Sequence, residues 1–199
     1  MTEIFNDEIV VLEPKAQKYL ATAAAAISEG GHILEFGTFC GGSASIMAKA
    51  NPKVNVHTVD PDDFSWMNDS SKYNPFVLWL ETNWGKYKWS GETVLNLRKS
   101  VLEKYRNILF YKGYSRGVKI PTRFDMCFID GDHHTLEIVA DFWHCWALTK
   151  PGGLIIGDDL IFDPIKEAVE IIERGLGFSV QKMPEINMFC VRKTKDPAY

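Results

Sequence analysis

The sequence predicts a doubly wound α/β fold around a mostly parallel sheet. Three observations carry this. Short apolar runs alternate along the chain with longer stretches of helical period. A glycine-rich loop stands between the first such run and the helix that follows it. The 199 residues suffice for one domain, read as spanning 1–199, with a core that needs no disulfide or metal staple.

Taken in order, a first helix is expected from near Pro14, where proline suits a helix start, to Gly30-Gly31. His32 to Phe36 is the first strand, and a helix opens at Ser43 and ends before Pro52. Val54 to Val59 is the second strand, closed by Asp60. Asn107 to Tyr111 and Phe124 to Ile129 are the third and fourth. Thr135 to Leu148 reads as a helix, and Leu154 to Ile156 begins a fifth strand after Pro151-Gly152-Gly153. Pro164 to Arg174 is helical, and Phe178 to Met183 and Asn187 to Arg192 form a closing strand pair. Between the second and third strands lies more chain than a crossover needs. Its first part, about 64–91, reads as an aromatic-rich insertion at the rim of the sheet, with Phe64, Trp66, Tyr73, Phe76, Trp79, Trp84, Tyr87 and Trp89. Its second part, Val94 to Tyr105, is an amphipathic helix.

Composition narrows the function classes. A net charge of −4 gives no electrostatic pull toward nucleic acid or anionic membranes. The four cysteines are far apart and form no CxxC pair, which fits reduced thiols and a cytoplasmic location. The N-terminal residues lack the basic and apolar regions of a signal peptide, and the apolar run Ala21 to Ile27 is too short to span a bilayer. The expected partner is a small-molecule substrate.

The loop Glu35-Phe36-Gly37-Thr38-Phe39-Cys40-Gly41-Gly42-Ser43 is the strongest local signal. Glycine serves where a backbone must turn tightly or let a ligand approach. The spacing from Gly37 to Gly41 is not the GxGxxG of dinucleotide sites, and Glu35 suits a cationic ligand better than a diphosphate. A plain tight turn is the alternative reading. Asp60 stands 19 residues after Gly41, where a carboxylate in this fold bonds ribose hydroxyls, or else it is a turn residue before Pro61. Gly113-Tyr114-Ser115, past the third strand, is placed to flank an adenine ring. Asp130, Asp132, Asp158 and Asp159 follow two strands that should lie about 4.8 Å apart. Like charges that close call for a compensating cation, and oxygen ligands suit Mg²⁺ or another divalent ion. Solvated loop carboxylates are the alternative. His133 and His134 follow, either as a base for a hydroxyl proton or as caps of the next helix.

HILEFGTFCGGSA resembles the first motif of class I S-adenosylmethionine-dependent methyltransferases, especially the small O-methyltransferases of catechol and caffeoyl-CoA type. FIDGDHHTLEIVADFWHCWALTKPGGLIIGDDL is similar to the fourth-to-fifth strand segment of the macrocin O-methyltransferase group. The resemblance implies a Rossmann-like seven-stranded sheet of order 3-2-1-4-5-7-6 with an antiparallel C-terminal strand. It implies S-adenosylmethionine contacts at Glu35, Gly37, Thr38, Gly41, Ser43, Asp60, Gly113, Ser115 and Asp130. Glu35 and Gly37 would face the methionine part, Asp60 the ribose, Ser115 the adenine, and Asp130 would lie beneath the reacting centre. It also implies a divalent metal on Asp130, Asp158 and Asp159. His133 stands where catechol-type enzymes place a lysine, so His133 or Asp130 takes the proton. The expected reaction is methyl transfer to a hydroxyl of a sugar or phenol. The aromatic insertion either binds that acceptor or covers the sheet edge or a second copy in a homodimer. Two rival readings stay open: a glycosyltransferase gripping its substrate with Asp130-Gly131-Asp132, and a non-catalytic S-adenosylmethionine-binding module.

Overall fold

A computed structural model describes residues 9–67, 74–177 and 179–194. Tyr73 and Phe178 lie outside the described residues. The chain runs α1 (Pro14–Ala25), β1 (His32–Phe36), α2 (Gly42–Ala50), β2 (Asn55–Asp60), α3 (Pro75–Asn83), α4 (Gly91–Lys104), β3 (Ile108–Lys112) and β4 (Phe124–Ile129). It continues α5 (Thr135–Leu148), β5 (Thr149–Gly157), α6 (Asp163–Leu176), β6 (Gln181–Met183) and β7 (Met188–Arg192). The strands form one sheet of order β3-β2-β1-β4-β5-β7-β6. The pairs from β3 through β5 are parallel, and β7 runs antiparallel to β5 and β6. This is the topology expected from the two motifs.

Strand alternation divides the core between two faces. Ile33, Val56, Met126, Phe128, Ile156 and Met188 pack with Leu20 of α1 and Ile46 and Met47 of α2. Leu34, Phe36, Val59, Ile155, Phe189 and Val191 pack on the other side with Phe142 of α5 and Val169 of α6. Among the described residues, no helix is long and apolar enough to cross a membrane.

Local chemistry moved some expected boundaries. The α4 helix starts at Gly91 rather than Val94 because Ser90 caps it, its hydroxyl accepting the Thr93 N–H at 3.2 Å. The fifth strand starts at Thr149, ahead of Pro151-Gly152-Gly153 rather than after it. Phe124 pairs with Thr149 and Met126 with Leu154, so the extra residues bulge out within the strand. A side chain at Gly153 would come within 2.5 Å of Thr149 Cγ2, so glycine is what lets the bulge close. The aromatic stretch is partly helical. Asn74 caps α3 by accepting the Phe76 and Val77 N–H groups. Leu80 and Trp89 then join Phe64, Cys40, Val94 and Ile9 in a third apolar cluster at the carboxyl rim of the sheet.

Candidate active site

The carboxyl ends of β1, β2, β4 and β5 meet where the strand order reverses, between β1 and β4, the usual ligand crevice of such sheets. Glu35, Asp60 and Asp130 continue the parity of Ile33, Val56 and Phe128, so all three project toward the α2 face. Glu35 is wholly buried beneath the loop. Register sets it beside Thr58, whose hydroxyl donates to it at 2.5 Å, and Ser43 at the start of α2 donates to its other oxygen at 2.5 Å. Burial outweighs these two bonds and raises its pKa to about 7. One of its oxygens thus accepts from β2 and the other from the start of α2.

Gly37 is fixed by contact and conformation together. Its φ is +96°, and a Cβ there would stand 1.9 Å from the Asp130 carbonyl oxygen. Gly41 takes φ +83° as the residue before α2. A cleft opens beside them, lined by Thr38, Phe39, Gly42, Ser43 and Asp130, with Ile9, Val11 and Leu12 along its other wall. Gly42 lets that N-terminal segment approach, since a Cβ there would meet the Ile9 carbonyl oxygen at 2.3 Å.

Asp60 binds the same loop. Its Oδ2 accepts the Thr38 and Phe39 N–H groups at 3.2 and 3.0 Å. Gly113 joins it, donating its N–H to the Asp60 carbonyl at 3.0 Å. Ser115 turns toward α5 instead, its hydroxyl donating to Asp141 at 2.5 Å.

The acidic cluster differs from the expected set of ligands. Among the described residues, the three groups whose ligand atoms all lie within 4.8 Å of one another are Asp130, His133 and Asp159. Asp158 is not one of these three and is buried. His133 Nε2 lies 2.9 Å from Asp159 Oδ2, and its ring stacks on Phe162 at 5.6 Å between centroids. The bond to Asp159 raises the pKa of His133. Burial and then Asp158, Asp159 and Glu35 push Asp130 well above the carboxylate range, and burial followed by Asp159 takes Asp158 to about 7. A divalent cation would relieve this crowding of like charge. A donor set of two carboxylates and an imidazole suits transition-metal ions as well as Mg²⁺. His134, by contrast, is the residue before α5 and is bonded to Asp132 at 2.5 Å. Asp132 is not among the three groups placed to share a cation with Asp130, and its Oδ1 serves His134.

Sequence reasoning missed two residues. Asn187, in the left-handed conformation (φ 59°), holds the loop after β5. Its side chain donates to Asp159 Oδ1 at 3.3 Å and accepts the Ile161 N–H at 2.5 Å, and its carbonyl accepts the Leu160 N–H. Arg98, on α4, lies beside Asp60. An Asn before a strand and an Arg on an amphipathic helix carry no local signal of such contacts. Phe39 links the cleft to the aromatic insertion, since its ring meets those of Phe64, Phe76 and Trp89 at 5.9 to 6.3 Å.

Residues 34–160 match a family model described as a methyltransferase domain. Protein R132 of Acanthamoeba polyphaga mimivirus is 28% identical over 127 residues, which are 63% of this chain and 50% of that protein. The match therefore spans about half the length of this curated relative. Among solved structures, cofactor-bound Rv0187 from MTB is similar at 17% identity and a TM-score of 0.64, covering 94% of this chain and 83% of that one. An O-methyltransferase from Bacillus cereus in complex with SAH is similar at 18% identity and a TM-score of 0.59, covering 95% and 84%. At these identities the likeness shows a shared fold.

Proposed function

This chain belongs to the methyltransferase-domain family, and on that premise we propose that it transfers the methyl group of S-adenosylmethionine to a hydroxyl oxygen of a small molecule. The observation that supports this best is the His133–Asp159 pair standing over Asp130, next to the glycine loop that Asp130 touches through Gly37. S-adenosylmethionine, when bound, supplies a sulfonium-activated methyl carbon open to in-line attack by an oxygen. Gly37, Thr38, Gly41 and Ser43 shape the cleft for its methionine end. Asp60 and Gly113 stand where the ribose would lie, with Ser115 beyond them toward the adenine. Asp130, half-buried and lining the cleft, would lie beneath the sulfonium, whose positive charge would favour the ionised carboxylate against the burial and like charge that raise its pKa.

His133 takes the acceptor's proton. Its Nε2–H donates to Asp159, which leaves Nδ1 as the accepting nitrogen. The bond to Asp159 favours the protonated ring, which makes His133 the stronger base. Where Asp130, His133 and Asp159 instead hold a divalent cation, the cation would lower the pKa of the acceptor hydroxyl and His133 would serve as a ligand in place of the base. The aromatic insertion contributes rings that can stack on a phenol or sugar acceptor, reaching the cleft through Phe39.

The test is transfer of labelled methyl from S-adenosylmethionine to a panel of hydroxylated small molecules. His133→Ala should lower kcat by about 10²–10⁴-fold while leaving S-adenosylhomocysteine affinity unchanged. Transfer to none of the panel by the wild type would contradict the proposal, and activity unchanged in EDTA would remove the metal from it.

A further inference from the structure

Arg98 sits in the middle of α4 and is only 3% exposed. A guanidinium so deep is costly to bury unless it is paired and bonded. Its Nη2 donates to Asp62 Oδ1. Its plane lies over the Phe110 ring at 4.4 Å and beside Phe64 at 5.8 Å. Its Nη1 stands 3.4 Å from Asp60 Oδ1 and yet has no hydrogen-bond partner.

Asp60 can be accounted for oxygen by oxygen. Each carboxylate oxygen offers about two acceptor positions. Oδ2 uses both, on the N–H groups of Thr38 and Phe39. Oδ1 uses one, on the Asp62 N–H at 2.8 Å. One acceptor position on Oδ1 therefore stays open, with a cation beside it that does not take it. Asp62 explains why. It adopts a left-handed backbone (φ 61°), and its carboxylate draws the other branch of the guanidinium away from Asp60. Lys112 supports Asp62 from the far side at 3.3 Å.

We propose that Arg98 is a positioning residue for the nucleoside ribose. Held by Asp62, it fixes the orientation of the Asp60 carboxylate and leaves the last acceptor position of Oδ1 for a ribose hydroxyl. This rests on the reading of the cleft as an S-adenosylmethionine site. Two consequences follow. Lysine at 98 has a single nitrogen in place of the planar fork, so it cannot bond Asp62 and keep a second nitrogen beside Asp60. Asparagine at 62 tolerates the left-handed backbone but removes the negative charge that draws the guanidinium, which then shifts toward the carboxylate of Asp60 and competes with the ribose.

The experiment compares the dissociation constants of S-adenosylhomocysteine and its 2′,3′-dideoxy analogue for the wild type, Arg98→Lys and Asp62→Asn. A hydroxyl bonded to a carboxylate should give the wild type a preference of about tenfold or more for the ribose form. Both variants should reduce that preference to about threefold or less while still binding the dideoxy analogue. Asp62→Asn keeps the test decisive if Arg98→Lys does not fold. Weaker binding of both ligands with the preference intact would mean a purely structural role and overturn the proposal. A wild type that binds S-adenosylhomocysteine without preferring the ribose form would overturn it too. A wild type that does not bind S-adenosylhomocysteine at all would instead sink the proposed function.

Discussion

Glu35 shows how a single buried acid couples the loop to pH. Burial raises its pKa from 4.5 to about 7, so between those values the folded chain holds a proton that the unfolded chain releases. The stability that neutral Glu35 provides is full below about pH 4.5 and is lost as pH rises toward 7. The window is worth up to ~3 kcal/mol. Glu35→Gln should therefore gain on the wild type by about that amount from pH 5 to pH 8, read by urea unfolding at both values; a difference independent of pH would contradict the assignment. Asn187 acts at the same scale on the other half of the site. Glycine at 187 keeps the left-handed backbone and removes the amide that holds Asp159 and Ile161. Asn187→Gly should lower kcat about tenfold with little change in KM for S-adenosylmethionine. Steady-state kinetics that show kcat untouched would remove Asn187 from the site. Neither residue's role was legible in the sequence. The partners of Glu35, Thr58 and Ser43, come from the parallel register and the start of α2. Asn187 reaches its partners across the gap between β5 and β7, a contact that only the closed sheet creates.

Elements were far more legible than contacts. Each of the first four strands is an apolar run bounded by turn residues, and its alternation carries over to the two core faces. The glycines marked the β1–α2 loop correctly, although what requires glycine at 37 is the Asp130 backbone pressed against it. Gly37→Ala should cost about 3 kcal/mol or more, through both its positive φ and the clash, measured as a drop in thermal midpoint. A variant as stable as the wild type would mean the loop is not held against β4. The strand through Pro151-Gly152-Gly153 was misjudged because a bulge looks like a turn when its partner strand is unseen. The aromatic stretch was legible only as composition. The structure gives it a core of its own, with Trp89 buried and stacked on Phe39 at an interplanar angle of 10°. Trp89→Ala should cost about 3–5 kcal/mol, and its loss of support for Phe39 should weaken binding in the cleft as well. Unchanged affinity in a folded variant would separate the insertion from the site.

For the whole molecule, the sheet order brings three acidic side chains from three strands to one face of one crevice, next to a loop closed by Asp60 from below and by the N-terminal segment from above. The resemblance supplied the order of the strands, and the residues alone supplied which of their ends matter. Among the described residues, the groups close enough to share a cation are Asp130, His133 and Asp159, because Asp159 of the loop after β5 meets His133 while Asp158 is buried. The central claim is that this crevice receives a sulfonium nucleoside. Calorimetric titration of S-adenosylhomocysteine into the protein tests it most directly. The expected result is saturable binding at one site per chain with micromolar affinity, accompanied by a rise in thermal midpoint. The contradicting result is no heat and no shift in midpoint at millimolar ligand.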